Sequence, residues 1–200
     1  MFAAALLLAT ILPLASNDAA ADAYLRDSIR TWVWSGFYSR AEVLEMLGEI
    51  ADEKSDIRKM QPFISSEFAR KRNAERTWPK VTDCDRLDAA FRVLRHRGII
   101  ALQNAGMTIS DGVSDVSEEL ARTDKRKVRG YCFYHFQDVE RAVAGEGLSL
   151  AFGDLENDRA EKVRVGHLIV EVMRAQGFAV EWNGDPDVRI LLPKFDWKRR

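Results

Sequence analysis

The sequence predicts an α+β (or α/β) fold: a small mixed sheet of about five strands, flanked by helices and preceded by a helical N-terminal segment. Three observations carry this expectation. From residue 82 onward, stretches with apolar residues at helical spacing alternate with apolar runs of strand length. Gly98, Gly145, Gly147 and Gly177 fall where the helical stretches should stop. The last two apolar runs, FAVEW (178–182) and VRILL (188–192), flank Asn183-Gly184, a hairpin signal that implies at least one antiparallel pair.

Taken in order, Ser39-Arg40-Ala41-Glu42 is a capping box, and Val43, Met46, Leu47 and Ile50 follow at helical spacing, so residues 40–54 are expected to be an amphipathic helix. Trp32, Trp34, Phe37 and Tyr38 around Gly36 read as an aromatic anchor that packs this segment onto the main domain. A charged, weakly periodic stretch then runs to Trp78-Pro79, the best boundary in the chain. The expected division is an apolar leader over 1–23, a helical segment over 24–79 and an α/β core over 80–200.

In the core, Thr82-Asp83-Cys84-Asp85 is a second capping box, and Leu87, Ala90, Phe91 and Leu94 line one helical face. GIIAL (98–102) reads as a buried strand, and the polar, glycine-punctuated QNAGMTISDG (103–112) as a loop at its end. A short helix is expected from Ser114 to Arg122, a strand over 131–136, a helix over 137–144, a strand over 148–152 and a long helix over 161–176. The connection between the first two strands is long enough to hold a crossover helix, so these strands are expected to be parallel.

Composition narrows the class. Thirty Lys and Arg against 31 Asp and Glu give a net charge of −1, which leaves no whole-chain field for nucleic acid or an anionic membrane. The basic clusters at Arg70-Lys71-Arg72, Lys125-Arg126-Lys127 and Lys198-Arg199-Arg200 read as solvated surface. Residues 2–14 are apolar and followed by small residues with A-x-A spacings, as in a secretory leader, but no basic residue precedes them. The run is too short for a membrane span. Cys84 and Cys132 form no C-x-x-C, and neither they nor His96, His135 and His167 have metal-ligand spacing, so no metal is expected.

One ten-residue stretch, RGYCFYHFQD (129–138), concentrates chemistry: a thiol, an imidazole and a carboxylate among aromatics. On a strand, Tyr131, Phe133 and His135 share one face while Cys132, Tyr134 and Phe136 share the other. That parity separates Cys132 from His135 and makes Cys132 a small core residue rather than a nucleophile. His135 and Asp138 fall at the carboxyl end of the strand, where α/β sheets collect sites. Asp138 also has a structural role open to it, in the first turn of a helix and beside Arg141. If the first two strands are parallel neighbours, the polar loop bearing Gln103, Asn104, Thr108, Ser110 and Asp111 lies beside His135, Gln137 and Asp138 as one crevice with an aromatic floor.

The blocks TDCDRLDAAF, RGIIALQNAG, RGYCFYHFQDVERAVAGEGLSLAFG and VEWNG…RILL…DWKRR resemble a bacterial family known as a domain of unknown function. The resemblance covers roughly residues 80–200, with a weaker echo around SGFYSRAEV. It implies no reaction, cofactor or catalytic residue. It implies an intracellular location, against the leader. Some relatives carry cysteines in the loop after the first strand, where this chain has Asn104-Ala105-Gly106-Met107.

The expected function is a non-enzymatic ligand- or protein-binding module, soluble and cytoplasmic, without cofactor. Its partner would be a protein or small molecule rather than nucleic acid. The alternatives are a hydrolase or transferase with His135 as base and Asp138 as orienting acid, and an exported (periplasmic or secreted) domain with a Cys84–Cys132 disulfide.

Overall fold

The computed structural model of the chain describes residues 17–51 and 56–200. In chain order these form α1 (Asn17–Ser35), α2 (Arg40–Ile50), α3 (Gln61–Glu75), α4 (Asp83–His96), β1 (Ile99–Leu102), α5 (Ile109–Arg122), β2 (Gly130–Phe133), α6 (Phe136–Val143), β3 (Leu148–Gly153), α7 (Arg159–Ala175) and β4 (Ile190–Leu192). The apolar run expected as a leader lies outside the described residues, whereas residues 17–23 lie in α1. No described helix is long and apolar enough to cross a membrane.

Local signals set most boundaries. At α2, the Glu42 N–H donates to the Ser39 hydroxyl at 3.3 Å and the Ser39 N–H donates to the Glu42 carboxylate at 2.6 Å. Ala51 is extended and closes α2 at Ile50, and residues 52–54 of the expected helix lie outside the described residues. The stretch read as charged and weakly periodic contains α3, whose Glu67 is buried because the Trp34 indole donates to it at 3.0 Å and Arg70 at 2.6 Å. Lys71, read as solvated, is buried beside Glu75 at 3.4 Å.

The sheet has four strands in the order β1-β2-β3-β4, not five. As expected, β1 and β2 are parallel; β2–β3 and β3–β4 are antiparallel. The missing strand is FAVEW, which pairs only through a single bridge between Glu181 and Leu191. Two contacts prevent a longer ladder. Phe178 N–H turns back to the Met173 carbonyl at 3.2 Å, closing α7, and the Trp182 indole donates to the Asp185 and Val188 carbonyls, which holds residues 183–189 as a loop. β1 is an edge strand, and Arg95 covers part of that edge by donating to the Ala101 carbonyl at 3.1 Å.

Strand parity sorts the side chains into two cores. Ile99, Ala101, Cys132, Leu150, Phe152 and Ile190 join α4 and α7 in a large core that also contains Leu25, Ile29, Val43, Leu47 and Ile64 from α1, α2 and α3. Ile100, Phe133 and Ala151 face the other way and pack under α5 through Val116, with Leu120 beside it. The aromatic anchor packs as the sequence suggests, with Phe37 6.0 Å from Trp197 and Tyr38 5.7 Å from Phe136 between ring centroids. The basic C-terminus departs from its expected place in solvent. Arg199 lies over the Phe37 ring and donates to Gln103 at 3.2 Å, and Arg200 donates to the Pro79 carbonyl at 2.7 Å.

The loop read over 103–112 ends early, because α5 begins at Ile109 behind a capping box of Thr108 and Asp111. Gly112, which read as loop punctuation, is a packing residue inside the helix: a Cβ there would sit 2.2 Å from the fully buried Phe133 ring. Gly112→Ala should therefore lose about 1–3 kcal/mol to overpacking, outweighing the roughly 1 kcal/mol that alanine contributes to a helix. Gly48→Ala in α2, where a Cβ meets nothing within 4 Å, should instead gain up to about 1 kcal/mol. Urea denaturation of both variants decides the matter, and a Gly112→Ala chain as stable as the parent would refute the packing role.

Candidate functional site

Parallel pairing of β1 and β2 brings their carboxyl ends together. The Ala105 N–H donates to the Tyr134 carbonyl and the Phe136 N–H to the Gly106 carbonyl, both at 2.9 Å, so the 103–108 segment and residues 134–138 lie side by side. These bonds also explain why β2 ends at Phe133 rather than 136: the backbone beyond it turns to serve the neighbouring loop.

Most polar side chains of this region are engaged in holding it together. Gln103 accepts from the Tyr134 hydroxyl at 2.8 Å and from Arg199 at 3.2 Å. Thr108 and Asp111 are committed to the α5 cap, where the Asp111 carboxylate accepts from the Thr108 hydroxyl at 3.0 Å and from the Met107 and Thr108 amides at 3.1 and 2.9 Å. The Thr108 hydroxyl, then its amide, hold the Asp111 carboxyl below its ordinary range. Ser110 and Gln137 are exposed. Asn104 adopts a left-handed backbone, φ 51°, and its side-chain oxygen is buried without a partner.

His135 and Asp138 are brought together, at the first turn of α6. The fully buried Asp138 carboxylate accepts the His135 backbone N–H at 3.1 Å, stands 3.3 Å from its Nε2, and binds Arg141 through one oxygen and Arg189 through the other. The same Arg189 Nη2 donates to the Ser149 carbonyl of β3 at 2.9 Å. The imidazole is buried, and its Nδ1 has no partner. Burial holds the His135 pKa below its ordinary value; the Asp138 charge opposes this shift and Arg189 adds to it.

The thiols take no part in this cluster. Both are free and buried, so the disulfide alternative is not formed here. Burial pushes the Cys84 thiol up to about 12 and Cys132 higher, which removes the thiolate needed by a nucleophile. Among the described residues, no three His, Cys, Asp or Glu side chains are grouped to hold a metal ion.

Beside the expected crevice lies a groove that sequence reading missed. About 190 Å³ in volume, it is walled by Ile109 and Val113 of α5 on one side and Pro186, Asp187, Val188 and Arg189 on the other. Tyr131, stacked on Phe133 with 6.0 Å between centroids, and Ala151 lie beneath. Ile109, Val113 and Val188 remain exposed, as does Met107 just before α5. No sequence signal announced it, because Ile109 and Val113 continue the helical spacing of Val116 and Leu120, the pattern of an ordinary buried stripe.

Two expectations follow. Removing the buried carboxylate in Asp138→Ala leaves two guanidinium groups uncompensated and should cost about 3–5 kcal/mol, whereas the exposed Ser110→Ala should stay within about 0.5 kcal/mol of the parent; equal denaturation midpoints would contradict this. For His135, the folded state resists protonation relative to the unfolded chain, whose imidazole titrates near 6.5. Its stabilising contribution is thus present above that pH and is lost as pH falls through the depressed folded value. Urea midpoints taken between about pH 7.5 and 5.5 should fall more steeply in the parent than in His135→Gln, and parallel slopes would rule His135 out as the group responsible.

No match to this chain was found among curated proteins or solved structures. A family model described as Domain of unknown function (DUF6891) matches residues 18–200, extending the resemblance seen over 80–200 to α1, α2 and α3. The helical segment and the sheet are thus matched as one unit, and the chain belongs to the DUF6891 family.

Proposed function

We propose that the chain is a non-enzymatic binding module that recognises a partner protein through the groove between α5 and the 183–189 loop. One observation carries this reading. Of the seven exposed large hydrophobic residues among the described positions, Ile109, Val113 and Val188 line this one groove and Met107 adjoins it in sequence. Apolar side chains gathered in this way mark interaction surfaces, whereas scattered ones do not. The volume favours a protein over a cofactor. At about 190 Å³ the groove lies below the roughly 300–1,000 Å³ of pockets that enclose drug-sized ligands. It suits one or two anchoring side chains, with the exposed rim covered by the rest of the partner.

Catalysis is the second reading, and it too has an observation in its favour. Asp138 stands at Nε2 of His135 and leaves Nδ1 unpartnered, the order expected of a base with its orienting acid. Against it, the ring is 2% exposed and lines none of the grooves described, so a substrate has no route to Nδ1 in this conformation.

Affinity retention from a lysate of the source organism separates these readings. The parent and Val81→Glu, a substitution at an exposed residue outside the groove, should retain a protein that Val113→Glu loses, with all three chains equally stable. An identical set on all three would remove the groove from consideration. A hydrolase or transferase activity that disappears in a folded His135→Gln chain would establish the catalytic reading instead.

A further inference from the structure

The groove also has a charge pattern, and this inference rests on its being the recognition surface. We propose that it takes an extended segment of the partner in which a carboxylate side chain flanks a bulky apolar one, the carboxylate meeting Arg189 and the apolar group resting on Tyr131 between Ile109, Val113 and Val188.

Ion pairing around the groove is uneven. Asp138 is shared between Arg141 and Arg189, so two guanidinium groups divide one carboxylate. At the 183–189 loop itself, Lys162 and Arg159 are matched by Asp187 and Asp185. Asp111, the other carboxylate acting on His135, is held in the α5 cap by Thr108 and pairs with neither guanidinium, so Arg189 has no carboxylate to itself. Burial disfavours protonation of His135, which therefore adds no further positive charge.

Arg189 is also incompletely bonded. Its Nη2 makes both contacts, to Asp138 and to the Ser149 carbonyl, while Nε is buried without an acceptor and Nη1 has no partner among the described residues. A guanidinium carries five donors in a planar fork suited to carboxylates, and buried donors are rarely left unmatched. The side chain is 27% exposed and lines the groove, so an incoming anion can reach it.

The surroundings select the kind of anion. Apart from Lys162, which Asp187 occupies, the other lining residues offer no second cation, whereas a phosphate usually draws on several donors. A single carboxylate matches a single half-used guanidinium. The exposed apolar lining of Ile109, Val113 and Val188 extends beyond what a small free acid would cover, which favours a peptide segment.

The test is a titration of the full, isotopically labelled chain, followed by NMR, with the blocked peptide Ac-Ala-Leu-Glu-Ala-NH2 and its counterpart carrying Gln in place of Glu. The Glu peptide should shift the Ile109 and Val113 methyl signals and the Arg189 Nε–H signal. The Gln peptide should bind at least roughly tenfold more weakly, as expected for loss of one charge-assisted contact. Val113→Asp, an exposed substitution that puts a carboxylate on the groove wall, should abolish the preference for Glu, and Arg189→Lys should reduce it. Equal binding of both peptides at the groove would overturn the carboxylate reading and leave the groove as a recognition surface. No shift there with either peptide up to about 10 mM would overturn the inference, with the retention experiment still judging the groove. Acetate reproducing the Glu-peptide shifts would overturn the segment in favour of a small acid. Shifts driven by chain concentration alone would overturn it in favour of a second copy.

Discussion

The Asp138 carboxylate is the point at which four parts of the chain meet. Its oxygens hold the backbone at the end of β2 through the His135 amide, the body of α6 through Arg141, and the loop entering β4 through Arg189. That same guanidinium reaches on to the Ser149 carbonyl of β3. Withdrawing a carboxylate from water costs several kcal/mol, and the burial is tolerable only where its lone pairs find donors. Here they do. The consequence is geometric: the 183–189 loop, which belongs to no strand, is fixed above the sheet as firmly as if it were paired.

That loop matters because the sheet face beneath it is only half covered. A helix is about 10 Å wide and strands lie about 4.8 Å apart, so a single helix shields roughly two strands. The crossover from β1 to β2 leaves α5 over those two strands, while α4 and α7 contribute to the opposite core. Beyond α5, no helix among the described residues covers β3 on this face. The loop fills part of this space from the far side, aided by Arg159 and Lys162 on Asp185 and Asp187. The strip left between loop and helix is the groove.

Legibility in the sequence tracked the range of the interaction. Caps, helical stripes and the two-sided alternation of Tyr131, Cys132, Phe133 and Tyr134 are local, and the structure reproduces them. The pairing of Asp138 with Arg141 is also local, three residues along a helix, and was readable. Arg189 is 51 positions from Asp138, and no pattern of spacing announces that contact. The fifth strand failed for a different reason, because nearby contacts competed with its pairing. FAVEW has the composition of a strand, but the Trp182 indole and the turn at Gly177 outcompete all but one rung of its ladder. Lys71 was read as solvated but is buried, and Glu67 on the same helix is buried through Trp34 and Arg30 of α1, partners that no spacing within α3 announces.

The polar loop over 103–112 shows why residue type alone admits two readings. Thr, Ser, Asn and Asp recruit ligands with the groups that also satisfy helix amides, and a partner three residues away is always at hand whereas a ligand is not. Thr108 and Asp111 fit that case fully, and T-x-x-D before Gly112 is as much a helix start as Ser39-Arg40-Ala41-Glu42. Once caps are assigned, three exposed apolar side chains stand out at this end of the sheet, Ile109, Val113 and Val188 beside an aromatic floor. That floor is not free to adapt. Phe133, which backs Tyr131, is fully buried and packed so closely against α5 that position 112 admits no side chain. A groove whose base is set by core packing and whose far wall is set by a buried ion cluster is already formed before anything binds, so a partner need not supply the free energy of shaping it.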